Sequence, residues 1–141
     1  MTPETAAFLS AADEALADAK RILEIDIPRQ AARLAYYAQF HAAQAFIFEV
    51  AGTTSKTHKG VDKQFHRLTK SDQRLPSGLA RELSSAYRFK EVADYDVAAA
   101  AKITRRDAEA VIVVAQAFVV AQAFVVAIRN VLSRPPGVTA G

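Results

Sequence analysis

The chain has no cysteine, so disulfides, thiolate nucleophiles and thiolate metal sites are excluded. Histidine is scarce. His41, His58 and His66 form no HExxH arrangement, so neither a zinc site nor any other metal is expected. No glycine-rich phosphate loop appears, since Lys56-Thr57-His58-Lys59-Gly60 carries a single glycine, and no cofactor is expected. The first residues, MTPETAAFLSAADE, lack a positive segment followed by an apolar one, so the chain reads as cytoplasmic rather than secreted. Strand patterning is almost absent. What remains is 141 residues, 51% hydrophobic and 23% charged, the proportions of one folded domain. Lys and Arg number 18 against 15 Asp and Glu, an excess that matters only if it is concentrated somewhere.

Residues 110–128 hold no charge, and that length reaches the ~17–25 residues that span a bilayer. Six of them are Ala, and Gln116 and Gln122 interrupt the run, which weakens insertion. Arginines flank both ends: Arg105 and Arg106 before, Arg129 and Arg134 after. A helix apolar on every side is also the buried member of a bundle or dimer. A membrane partner is therefore not expected. The same stretch contains a tandem repeat, AQAFVV at 115–120 and again at 121–126. Six residues turn a helix by ~600°, so the copies face different ways.

Periodicity predicts five helices within a domain over 4–132, followed by a disordered tail over 133–141. The first, about 4–25, repeats Leu9, Ala12, Leu16, Ala19 and Leu23 at helical spacing. The second, about 28–50, starts at Pro28 and stops at Gly52. One of its stripes is apolar: Tyr36, Phe40, Ala43, Ile47 and Val50. A neighbouring stripe is polar: Gln30, Arg33, Tyr37, His41 and Gln44. The third runs over about 57–70, around Val61, Phe65 and Leu68, and the fourth over about 77–91, around Leu79 and Leu83. Residues 93–103 read as a loop or short extended piece. Thr104 and Asp107 match the capping box of a fifth helix ending near Leu132. The first two helices, joined by a short turn at Asp26-Ile27, are expected to pair antiparallel.

Basic residues supply the strongest chemical signal. Lys56, Lys59, Lys63, Arg67, Lys70 and Arg74 recur at three and four, within ~80° on a continuous helix. With only Asp62 and Asp72 in 56–74, the segment carries a net charge of +4, more than the whole chain's +3. Such a stripe fits a phosphate backbone, and equally an ordinary solvated face; no aromatics interleave it for base stacking. Arg33, Tyr37 and His41 on the second helix form either an internal polar network or the lining of a cleft. Thr57 is a plausible N-cap, which would put two lysines beside a helix N-terminus. Arg88, Asp94 and Tyr95 could clamp a ligand or fix the end of the fourth helix.

Taken in order, Arg33-Leu-Ala-Tyr-Tyr-Ala-Gln-Phe-His41-Ala-Ala, Lys56-Thr-His-Lys-Gly-Val61 and Arg88 through Ala93-Asp94-Tyr95 resemble the HEPN domain superfamily, in its small stand-alone prokaryotic branch. The resemblance covers about residues 5–132. It implies an all-α HEPN-like helical bundle with a long antiparallel helix pair, a homodimer and a role connected with RNA. It also implies a toxin–antitoxin or defence pair, with a minimal nucleotidyltransferase as partner. Nuclease members of the superfamily carry an arginine, four to six residues, then a histidine. Here Asp94 follows Arg88 where that histidine would sit, and an aspartate cannot serve as the cationic proton donor.

The expected function is thus an RNA- or nucleotide-associated protein whose nuclease motif has degenerated. Lys56, Lys59, Lys63, Arg67 and Lys70 would contact nucleic acid, and Arg33, Tyr37, Asp94 and Tyr95 would line a polar cleft. The alternative is an active metal-independent ribonuclease. There Arg88 would stabilise developing phosphorane charge, and His58 or His41 would move the proton, where a dimer brings one of them near Arg88. A second alternative is a structural protein anchored in a membrane through 110–128.

Overall fold

A computed structural model describes residues 1–70 and 72–132, and the tail expected at 133–141 lies outside them. The Thr2 hydroxyl caps α1 (Pro3–Glu24) by accepting from the Thr5 amide at 3.1 Å. The stripe Ala12, Leu16, Ala19 and Leu23 is buried. Asp26 then takes a left-handed conformation (φ 62°), which aspartate tolerates better than most residues. Pro28 opens α2 (Pro28–Ala51), and Gly52 closes it at φ 75°. The Thr5 hydroxyl donates to Glu49 at 2.9 Å, tying the start of α1 to the end of α2, so the two helices run antiparallel.

The middle of the bundle is α2. Its buried alanines at 31, 35, 38, 42 and 43 let neighbouring backbones approach closely. Alongside it, in the same direction, runs α6 (Arg105–Leu132). Arg105 near the start of α6 donates to the Leu23 carbonyl at 2.8 Å, and Asn130 near its end donates to Glu49 at 3.3 Å. The capping box is formed: the Thr104 amide donates to Asp107 and the Asp107 amide donates back to Thr104, at 2.9 and 3.1 Å. Ala108, Ile112, Ala115, Phe118, Val119, Val125 and Val126 of α6 enter the core. By length and apolar composition α6 could cross a membrane, but this face of it is packed inside the bundle.

The outer layer is α3 (His58–Thr69) and α4 (Leu79–Tyr95). Phe65 of α3 joins Phe46 and Phe118, with ring centroids 5.7 and 5.3 Å away. Ser84 of α4 donates to Asp62 at 2.7 Å and meets His66 Nε2 at 3.0 Å, joining the two outer helices.

The sequence expectation differs from the structure in two places. Residues 93–103 are not a loop: α4 continues through Tyr95, and α5 (Val97–Ala100) follows. The Asp96 side chain accepts from the Ala99 amide at 3.0 Å and starts that short helix, giving six helices among the described residues rather than five. Nor does a continuous helix carry the whole basic stripe. Lys56 precedes α3, Lys70 follows its last residue, and Arg74 turns back onto Asp72 through contacts of 2.9 and 2.7 Å.

The repeat meets opposite surroundings in its two copies. In the first, Phe118 is buried and Gln116 exposed; in the second, Gln122 is buried and Phe124 is exposed. Both amide atoms of Gln122 lack hydrogen-bond partners among the described residues.

Candidate functional site

The N-terminus of α3 meets α2 and α4 in a group of aromatic and charged side chains. Local hydrogen bonds set the approach. Thr57 caps α3 by accepting from the Gly60 amide at 3.0 Å. The loop before it is held by Gln44, donating to the Ser55 carbonyl at 3.1 Å, and by Gln64, accepting from the Ser55 amide at 2.9 Å. Gly60 is required for this closure: a Cβ there would stand 2.0 Å from the Ser55 hydroxyl.

The capped turn delivers His58 onto an aromatic wall. Its ring stacks on Tyr87 at 5.1 Å and packs against Phe40 at 4.9 Å. Its Nδ1 lies 2.6 Å from the Tyr36 hydroxyl. Burial raises the Tyr36 phenol far above its ordinary value, with Tyr87 and Tyr37 adding to the effect, so Tyr36 keeps its proton. Burial, then the neighbouring Lys90 ammonium, lowers His58 from its ordinary 6.5. The bond joins a protonated phenol to a neutral imidazole, and its direction goes with the His58 tautomer: where Tyr36 donates to Nδ1, the ring proton sits on Nε2. In that tautomer His58 offers an N–H to the site.

Beside it lies an ionic lock. Asp94 sits 2.8 Å from Lys90 Nζ and 3.1 Å from Arg33 Nε; the arginine contact is close but lacks hydrogen-bond alignment. Lys90 is buried, its side chain 7% exposed. Burial works to discharge the ammonium, but the bond to Asp94, with Tyr37 and Glu91 nearby, holds it above its ordinary value. Both cations face Tyr37, with Arg33 at 5.8 Å and Lys90 at 5.9 Å from the ring centroid. Tyr95 stands exposed at the rim, 6.0 Å from Lys90. A hydrogen bond to Glu91 raises the Tyr87 phenol, leaving it a donor as well.

The structure therefore brings Arg33, Tyr37, Asp94 and Tyr95 together and adds His58. His41 lies at the edge, stacked near Tyr37 at 6.5 Å and bonded to Gln44 at 3.0 Å. Arg88 is elsewhere: exposed on α4, it donates to Ser85 of its own helix at 3.2 Å and contacts neither histidine among the described residues. Sequence reasoning missed Lys90, Tyr36, Tyr87 and Glu91. The available signal was the spacing of four between Lys90 and Asp94, which also describes an ordinary surface pair.

Away from this group, Lys56, Lys59, Lys63, Arg67 and Lys70 are all exposed. None of them makes an ion pair among the described residues. The row starts beside His58 and follows α3 outward.

Residues 5–123 match the family model described as HEPN domain. A Methanocaldococcus jannaschii protein named "Putative toxin MJ0605" is 32% identical over 115 residues, which cover 82% of this chain and 83% of that one. A UPF0332 protein of Gloeobacter violaceus is 27% identical over 84% of this chain and 92% of its own length. A UPF0332 protein of Archaeoglobus fulgidus is 31% identical over 61% of this chain and 67% of its own.

Proposed function

The chain belongs to the HEPN domain family, and from that premise we propose that it is a toxin-like protein that binds RNA without cutting it. One observation carries the reading: an exposed cationic row, with no ion pair among the described residues, begins at a cluster of protonated donors. Phosphates would follow Lys56, Lys59, Lys63, Arg67 and Lys70, and one nucleotide would reach His58, Tyr37 and Tyr95. Two features support a reading without cutting: a neutral imidazole at His58 is a weaker acid than an imidazolium, and Asp94 is committed to Arg33 and Lys90. The toxin role draws on the name of the Methanocaldococcus jannaschii relative.

A second copy and a minimal nucleotidyltransferase are the proposed partners. The outward side of α6, with Val113, Val120 and Phe124 exposed, supports a protein interface on that helix.

The test is a cleavage and retention assay on bulk RNA in EDTA, with wild type beside Arg88→Ala, His58→Ala and His41→Ala. The expected result is filter retention without cleavage. Cleavage by wild type that disappears with Arg88 and one histidine would replace this reading with a rearranged nuclease.

A further inference from the structure

The outer side of α6 is as apolar as its inner side. From Ala110 to Val131, alternating steps of three and four residues land each time on an exposed apolar side chain, with no charge among them. That alternation is the seam by which one helix packs lengthwise on another. The seam is ~32 Å long at 1.5 Å per residue. Val120 and Phe124 at its middle are 61% and 58% exposed, so no other part of the described chain covers them.

In size the row complements its own reverse. Turned end for end about Val120, it sets Ala117 beside the second copy's Phe124, Val113 beside Ala127 and Ala110 beside Val131. Each alanine then meets a larger side chain, and Val120 meets itself. Laid parallel, Phe124 would crowd its own copy, and the alanines would face one another across gaps. Arg106, exposed and next in the same row, would then face a like charge. Helix dipoles also oppose the parallel arrangement.

We propose that a second copy of this chain docks here, α6 against α6, antiparallel about a two-fold axis at Val120. This rests on the reading above that a second copy is a partner, and adds the surface and its orientation. It also gives the tandem repeat a role. The axis falls at the join of the two hexapeptides, so the first one of each chain lies along the second one of the other.

The chain has no cysteine, so a single one reports its own neighbourhood. Under mild oxidation Val120→Cys should form a disulfide-linked dimer, because the axis brings the two positions together. Ala110→Cys should not, since its copies would lie ~30 Å apart, beyond the ~7 Å a disulfide allows between Cα atoms. Light scattering on the full chain reads the dimer itself, and wild type should be dimeric. Ala117→Phe and Phe124→Ala should each weaken the dimer about tenfold, one by a clash and the other by a gap. Both together should recover most of that loss. These positions are exposed in the single chain, so the fold does not depend on them. Self-linking of Ala110→Cys, or a double variant no tighter than the worse of the singles, would overturn the proposal. A dimer in which Val120→Cys does not link would overturn this surface and leave the second-copy reading standing. A monomeric wild type would overturn both, and leave the face to a different protein or a lipid surface.

Discussion

Two sets of cations in this molecule are treated in opposite ways. Lys90 and Arg33 are drawn onto Asp94, and the lysine is sealed from solvent. Lys59, Lys63 and Arg67 of α3 are exposed and carry no partner among the described residues. The first set has already used its charge, so its worth lies in holding α2 and α4 in register. The second keeps its charge free, which costs little in water and leaves it ready for a polyanion. Sequence spacing alone does not separate the two, because three-and-four periodicity occurs in both. What separates them is the neighbouring helix, present over one and absent over the other.

The strongest way to break the contrast is Asp94→Ala. It leaves Lys90 buried without a counter-ion and should cost about 3 kcal/mol, read from urea unfolding. Next comes the double reversal Lys63→Glu with Arg67→Glu. Stability should move by less than about 0.5 kcal/mol, as for ordinary surface changes. RNA affinity should nonetheless fall at least ~10-fold, with the salt slope of binding reduced by ~2. Equal RNA retention by that variant and wild type would remove α3 from the interface.

A smaller effect concerns pH. His58 titrates lower when folded than its ordinary 6.5, so the unfolded chain takes up the proton first. Stability is then full above 6.5 and is lost as pH falls from there through the folded value. His58→Gln should flatten that part of a stability-against-pH curve, and an unchanged slope would assign it to other groups. The smallest effect is expected of Lys90→Met combined with Asp94→Leu. Replacing both buried partners by apolar groups should leave stability within about 1 kcal/mol of wild type, since the guanidinium of Arg33 is part-exposed although its Nε is buried. A large loss would mean that the lock contributes stability beyond its own compensation.

Much of the fold could be read from the chain. The stripe Leu16, Ala19 and Leu23, Pro28, Gly52 and the Thr104–Asp107 box each state a local rule that packing leaves intact. The misreading at 93–103 had a local cause. Val97 through Ala101 have no amphipathic pattern, and the Asp96 cap that starts α5 was overlooked. The site was half legible. Arg33 and Tyr37 share a helix face, and Asp94 with Tyr95 ends another, so their chemistry was visible while their meeting was not. Lys90 was invisible because burial of a lysine is decided by what lies across from it, here Tyr37 on α2. Arg88 was legible as a candidate for the same chemistry, and within one chain it bonds to Ser85 on its own helix.

The duplicated hexapeptide in α6 is an internal experiment in context. One word is spelled twice, and its phenylalanine is core in the first reading and surface in the second, while its glutamine does the reverse. Deleting either copy would leave the same local wording, yet would draw the end of the helix back by ~9 Å and rotate it by ~240°. Asn130 would swing away from Glu49, and the join between the ends of α6 and α2 would be lost. A change in copy number there acts as a ratchet: it moves the distal end of the helix by whole steps, and each step deals a new set of side chains to the bundle and to whatever docks outside it.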